Sequence, residues 1–178
     1  MEVLTIGHSS HALQRFVHLL RGGGVTQVAD VRRWPRSRRH PQFDDDALAV
    51  ELASYGIAYA HIAELGGHRE RVAGSRNDGW DAAAFNGYAD HLASEEFSRG
   101  LQRLIALAAA RPTAVMCAEG DWGRCHRRLL ADVLVVRGLA GVRHIAVDGA
   151  LEPHVVTEFA VIEDGLPRYP APQLGLGF

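Results

Sequence analysis

Apolar positions along the chain follow two rhythms. Short runs rich in strand-forming residues, EVLTI (2–6), TQVADV (26–31), AYAHI (58–62), TAVMC (113–117) and VRHIAV (142–147), read as strands. Between them the apolar residues recur at helical spacing. HALQRFVHLLR (11–21) sets Leu13, Phe16, Val17 and Leu20 on one face. DDDALAVELASYG (44–56) opens with three aspartates, favoured by the positive end of a helix macrodipole, and stops at Gly56. Two further helices are expected in DAAAFNGYADHLA (81–93) and EEFSRGLQRLIALAAA (95–110), the second ended by Pro112. The last, CHRRLLADVLVVRG (125–138), closes at Gly138.

Strand followed by helix, five times over, predicts an α/β fold: a single-domain three-layer sandwich with a mostly parallel sheet of about five strands. Residues 1–150 are expected to form that domain and to carry every candidate site residue. Residues 151–178 are expected as a C-terminal extension packed on it or trailing from it, with the Pro- and Gly-rich GLPRYPAPQLGLGF (165–178) laid over the surface.

In open sheets of this kind ligands bind in the crevice beyond the carboxyl ends of the strands. The residues just past each strand are therefore informative. Gly7, His8 and Ser9 come after the first, RRWPRSRRH after the second, Glu64 to Gly67 after the third, Cys117 to Glu119 after the fourth, and Asp148-Gly149 after the fifth. Polar groups able to do chemistry gather at one edge.

Composition narrows the partners. At 178 residues, 47% apolar and 22% charged, the chain has material for one core. A formal charge of -2 provides no global attraction to nucleic acid or membrane. The longest apolar stretches, such as LLADVLVV, contain charge and fall short of a membrane span. MEVLTIGHSS has no basic start and too short an apolar run for a secretory signal, so the two cysteines are expected as reduced thiols in a cytoplasmic protein. All 19 basic residues are arginine. Every cation is thus a planar fork suited to carboxylate or phosphate.

Five of those arginines lie between Arg32 and Arg39, around Trp34 and Pro35. Arg32, Arg36 and Arg38, with Asp30 and Ser37 beside them, form a candidate anion site, and the Trp34 indole is available to stack on a base. The bland alternative is a solvated basic loop neutralised by Asp44 to Asp46. Gly7 would let backbone N–H groups approach an anion while His8 points into the crevice; otherwise Ser9 or Ser10 simply caps the next helix. Glu119 is the general acid–base candidate, tuned by partial desolvation near Arg124, or else salt-bridged to Arg124 or Arg127. Cys117 at a strand end and Cys125 at a helix start are candidate nucleophiles, with Arg124 or His126 able to stabilise a thiolate. Six residues separate Cys117 from Arg124, one more than the anion-cradling loop of cysteine phosphatases requires. A metal held by Cys117, Cys125, His126, His8 and His144 is disfavoured, because adjacent Cys125 and His126 would diverge on a helix, and no metal site is assigned.

TIGHSS…F…LL, DVRRWPRSRRHPQF, YAHIAELGG, MCAE…CHR and VRHI…G, in that order, resemble the signature blocks of the family called domain of unknown function 488. The resemblance spans residues 5 to about 150. It implies an α/β fold with the blocks lining one cleft, and it supplies no reaction. The positions matched are Gly7, His8, Ser9, Asp30, Arg32, Pro35, Ser37, Phe43, Leu65, Gly66, Gly67, Cys117, Glu119, Cys125, His126, Arg127 and His144.

The leading expectation is an enzyme, a hydrolase or transferase, acting on an anionic, phosphorylated substrate such as a nucleotide or nucleic-acid component. Glu119, Cys117, Cys125 and His8 would do the chemistry. Gly7, Ser9, Asp30, Arg32, Arg36, Ser37, Arg38, Gly66, Gly67, His126 and Arg127 would bind the substrate. Two alternatives stand beside it: a non-catalytic nucleotide- or nucleic-acid-binding module, and a metal- or redox-sensing protein built on the Cys/His set. Cofactor and oligomeric state are left open.

Overall fold

A computed structural model describes residues 1–171 of the chain. Six strands form one sheet in the order β3-β2-β4-β1-β5-β6. Strands β1 (Glu2–Gly7), β2 (Gln27–Asp30), β3 (Ala58–His61), β4 (Thr113–Cys117) and β5 (Gly141–Ile145) are mutually parallel. They fall on the five strand-like runs of the sequence. The sixth, β6 (Leu151–Pro153), pairs antiparallel with β5. Helices α1 (Leu13–Gly22), α2 (Asp45–Ser54), α3 (Ala83–His91), α4 (Glu95–Ala110) and α5 (Arg127–Val136) cover the two faces.

Strand alternation decides which face each residue serves. Leu4, Ile6, Val28, Ala114 and Met116 point to one side, where they meet Phe16 and Leu20 of α1 and Leu48 and Leu52 of α2. Val3, Ala29, Val115, Cys117 and Val142 point to the other, against Leu101 and Leu104 of α4 and Leu129, Leu130 and Val133 of α5. Both layers are closely packed, and truncating any of these leucines to alanine would cost about 2–5 kcal/mol. The result is a three-layer α/β sandwich.

Helix ends follow local chemistry. Asp45 and Asp46 occupy the first turn of α2. Ser94 caps α4, its hydroxyl accepting from the Phe97 amide at 3.0 Å. Gly56 and Gly138, just past α2 and α5, take positive φ of 71° and 62°. Two expectations need correction. Neither Ser9 nor Ser10 caps α1, which starts behind Ala12 without a side-chain cap. α5 begins at Arg127, because a 3₁₀ turn over Trp122–Arg124 leaves Cys125 extended and makes His126 the cap.

The segment beyond residue 150 is built into the domain as far as it is described. Its first three residues are β6, and Tyr169 is wholly buried in the α4–α5 layer. Between them β7 (Val161–Glu163) and β8 (Leu166–Arg168) form a hairpin. Of the expected surface tail, residues 172–178 lie outside the described residues. Among the described residues no helix is long and apolar enough to cross a membrane.

Topology sets the position of the site. From β1 the chain crosses towards β2 on one side, and from β4 it crosses towards β5 on the other. The loops leaving these neighbouring strands therefore part, opening a crevice at the carboxyl edge where Gly7 pairs with Cys117.

Candidate functional site

That crevice is a cleft of about 680 Å³. Cys117 reaches it from the end of β4, Cys125 and His126 from the β4–α5 loop, and His8 and Ser9 from the end of β1. Arg32 to Trp34, Arg36, Ser37 and Arg39 line it from the β2–α2 loop, Gly67 and His68 from the segment after β3, and Glu119 and Arg124 from the β4–α5 loop. Of the sequence candidates, Gly7, Asp30, Gly66, Arg38 and Arg127 do not line it.

The Sγ atoms of Cys117 and Cys125 and a ring nitrogen of His126 all lie within 4.8 Å of one another. The expected divergence of Cys125 and His126 does not occur, because neither is inside the helix. His126 Nδ1 stands 3.9 Å from Cys117 Sγ and 3.7 Å from Cys125 Sγ. Its Nε2 is 3.2 Å from the Val31 carbonyl, which only accepts, so Nε2 carries the proton and Nδ1 offers its lone pair to the thiols. Tyr88, fully buried, packs its ring 4.9 Å from the imidazole. The thiols divide their roles. Hydrogen bonding to Cys125, with burial, holds the Cys117 thiol well above its ordinary value. Burial opposes ionisation of Cys125 too, but the Cys117 S–H and the charge of Arg127 outweigh it and bring that thiol well below the ordinary value.

Arg127 lies beneath this centre, 1% exposed. Its guanidinium donates to Cys125 Sγ at 3.3 Å, to Thr5 Oγ1 at 3.4 Å and to the Glu119 carbonyl at 2.5 Å. A chain continues from Thr5. Its hydroxyl is 2.6 Å from His144 Nδ1, His144 Nε2 is 3.0 Å from His154 Nδ1, and His154 Nε2 is 2.8 Å from Asp132 Oδ1. The Trp122 ring stacks on His144 at 4.0 Å. His144 thus serves this chain and is not a member of the Cys/His cluster.

His8 is also separate from that cluster. Its Nδ1 donates to the Ser9 carbonyl at 3.0 Å, and its Nε2 faces Arg32 Nη1 at 3.4 Å. Burial, with Arg32 alongside, lowers its pKa to about 4, so it is a neutral acceptor at pH 7. Arg32 is tied to Asp30 through Nε and Nη2 and to the Phe43 carbonyl at 2.7 Å. Asp30 also accepts from Tyr59 at 2.7 Å. This buried pair shapes the loop, leaving only the Arg32 Nη1 edge to the cleft.

Other candidates are used locally. Arg36 faces Asp44, Asp45 and Asp46 at 3.8, 3.2 and 3.4 Å. Ser37 holds a turn, its amide donating to Asp44 and its hydroxyl accepting from the His40 amide. The backbone N–H groups of His8 and Ser9 donate to the carbonyls of Cys117 and Ala118, both at 2.9 Å, so they are not presented to an anion. A Cβ on Gly7 would fall 1.9 Å from the Glu119 carbonyl oxygen, and one on Gly66 2.7 Å from the Arg33 Cα; both glycines permit close packing. Glu119 is exposed, accepts from the Asp121 amide at 3.1 Å, and bonds neither Arg124 nor the guanidinium of Arg127 through its carboxylate.

The family described as Domain of unknown function DUF488 matches residues 12–134. The chain is a DUF488 protein. Within the matched span this DUF488 chain holds the arginine loop, both cysteines, His126 and Arg127; His8 and His144 lie outside it. No curated protein and no solved structure matches the chain.

Sequence reasoning passed over Arg33 and Arg39 in this DUF488 chain, and placed Arg124 beside a thiolate or Glu119 rather than on the anion. Arg33, Arg39 and Arg124 line the cleft, and among the described residues none pairs with a carboxylate; Arg33 donates to the His68 carbonyl at 3.1 Å. It also missed Asp132 and His154. The one available signal was a lone aspartate inside the apolar stretch LLADVLVV, where a carboxylate needs a buried partner.

Proposed function

We infer that the protein is an enzyme acting on an anionic, phosphorylated small molecule of nucleotide type bound in this cleft. One observation carries the reading. Arg33, Arg39 and Arg124, free of carboxylate partners among the described residues, overlook a floor of two thiols and an imidazole acceptor. Guanidinium forks hold phosphate oxygens bidentately. Trp34, 64% exposed beside Arg33, offers a face for a base. Compared with the expectation from sequence, the anion is held by the unpaired arginines rather than by Arg32 and Arg36, and the chemistry rests on Cys117, Cys125 and His126 more than on Glu119. Neutral His8 stands at the wall as an acceptor.

Titration with AMP and ADP, followed by tryptophan fluorescence, tests the binding half. Saturable quenching is expected, lost in Trp34→Phe and weakened roughly tenfold or more in Arg39→Gln/Arg124→Gln, about 1.4 kcal/mol. Turnover of a panel of phosphorylated compounds, abolished by Cys125→Ser, tests the chemical half. Binding without turnover of any of them would replace the enzyme with a nucleotide-binding module. Absence of binding would remove both.

A further inference from the structure

We propose that Cys117, Cys125 and His126 form a metal centre for a zinc-type divalent ion, with a fourth position open to the cleft. The inference deepens the functional reading above and rests on it only for the ligand that would fill that fourth position.

The donor set is argued from chemistry. Two thiolates and an imidazole nitrogen are soft and borderline donors, the combination that selects zinc over magnesium or calcium. Three protein ligands and one open position is the pattern of a catalytic site rather than a closed structural one. Zinc–sulfur and zinc–nitrogen bonds of about 2.3 and 2.0 Å put the S···N edge of a tetrahedral site at about 3.5 Å. The two edges measured from His126 Nδ1 are 3.9 and 3.7 Å. Both S···N edges thus lie close to the tetrahedral value, and the third edge, between the two sulfurs, is within 4.8 Å.

Three surrounding contacts serve the same geometry. The Val31 carbonyl takes the Nε2 proton of His126 at 3.2 Å, which fixes the ring and directs the Nδ1 lone pair to the sulfurs. Metal-bound histidines are oriented in this way by their second nitrogen. Gly67 keeps the approach to that nitrogen clear: a Cβ there would lie 2.8 Å from Nδ1. Arg127, which does not line the cleft, donates from Nε to Cys125 Sγ at 3.3 Å and so orients that sulfur from behind.

A divalent ion held between the two neighbouring sulfurs lets both of them bind as thiolates. A divalent ion would displace both thiol protons to solvent, neutralise the thiolates and present its remaining position to an oxygen of the bound anion or to water. Cys117 and Cys125 are free thiols whose sulfurs lie within 4.8 Å of one another, and a disulfide between them and a shared ion exclude each other.

The test uses the full chain, purified with zinc under reducing conditions and dialysed against metal-free buffer. About one zinc per chain is expected by mass spectrometry. After chelation, added Co²⁺ should generate the intense thiolate-to-cobalt absorption of a tetrahedral site, and its intensity should fall by about half in Cys117→Ser, where one of two thiolates is lost. His126→Gln should shift that spectrum or lose the ion. A protein that retains no zinc and shows no thiolate-to-cobalt band under reducing conditions overturns the proposal, as does one whose thiols form a disulfide while zinc is present. The wild-type measurement decides this even where a variant fails to fold. AMP titration of the zinc-loaded and zinc-free proteins separates the two readings. Retained AMP binding without metal uptake removes the metal centre alone; metal uptake without AMP binding removes the anion site alone.

Discussion

Arg127 and Asp132 stand at the two ends of one buried hydrogen-bond chain. A single order of protons satisfies it: the Arg127 guanidinium donates to Thr5, the Thr5 hydroxyl to His144, His144 to His154, and His154 to the Asp132 carboxylate. Every donor points towards the acid. A guanidinium with 1% exposure and no adjacent carboxylate would be costly in isolation. Here the opposing charge is delivered through polarised neutral groups, each strengthening the next. The cation stays fixed behind Cys125, and the acid stays at the far end of the chain.

Thr5 is the link whose removal is most informative. Thr5→Val keeps shape and β-propensity in a buried strand but deletes one acceptor and one donor at once. Arg127 Nη1 and His144 Nδ1 would both be left unpaired, at a cost of about 1–3 kcal/mol. Urea denaturation of the variant should show a lower midpoint with an unchanged slope. A midpoint equal to wild type would mean that the chain carries no coupling.

Acid should weaken the fold before its carboxylates titrate. Burial, then the neighbouring His154 and Arg127, push the His144 pKa down to about 3, and burial with Arg32 pushes that of His8 to about 4. Both lie below the unfolded value of about 6.5, so on acidification the unfolded chain takes up protons first. Their contribution is therefore fully present above pH 6.5 and is lost as pH falls towards these folded values. Each pH unit of separation is worth about 1.4 kcal/mol per group. The urea midpoint should fall between about pH 7 and about pH 5, a window above the carboxylates, and His144→Asn should flatten that fall. A midpoint constant over this window would contradict the neutral, buried state of both rings.

The elements visible in the sequence are those whose periodicity is enforced by burial on one or both faces. β1 to β5 and all five helices answer to it, and with them the edge where ligands bind. β6 was hidden because LEP is three residues long and includes a proline; it forms only because β5 presents an open edge after the turn at Gly149, where φ is 98°. The β7–β8 hairpin was legible and passed over. Asp164-Gly165 is the pair that a two-residue turn with positive φ demands, and the angles are 51° and 74°. The candidate site was legible as a set of loops but not as a geometry. Whether Cys125 and His126 diverge depends on where α5 starts, and a 3₁₀ turn moved that start from Cys125 to Arg127. Which arginines remain unpaired depended on contacts such as Arg36 with Asp44 to Asp46, which no spacing rule resolves.

Asp132 also anchors the end of the described chain. Its carboxylate accepts from the Thr157 amide at 3.0 Å and from the Tyr169 hydroxyl at 2.8 Å, besides His154. Asp132→Ala should cost about 3 kcal/mol or more, because three buried donors lose their acceptor. Tyr169→Phe removes one of these bonds and should cost about 1 kcal/mol. Hydrogen exchange should show residues 154–171 losing protection first in both variants, more so in Asp132→Ala. Uniform loss across the sheet would assign Asp132 to the general core instead.

Two glycines at the cleft separate backbone packing from site packing. At Gly7 an added Cβ would lie 1.9 Å from the Glu119 carbonyl oxygen, with two more backbone atoms within 2.7 Å. At Gly67 it would meet the His126 ring, nearest at Nδ1, 2.8 Å away. Backbone cannot yield without parting β1 from the β4 loop, whereas an imidazole can swing. Gly7→Ala should therefore destabilise by more than the roughly 1–3 kcal/mol typical of overpacking, and Gly67→Ala by about that or less. The functional order should be the reverse of a simple stability effect. Gly67→Ala, still folded, should displace His126 from Val31 and the two sulfurs, and so lose ligand-dependent signals at the floor while the thermal midpoint moves little. Thermal denaturation of both variants, with NMR of the His126 ring in Gly67→Ala, checks the pair. A Gly7→Ala protein as stable as wild type would show that β1 and the Glu119 loop are not held in direct contact.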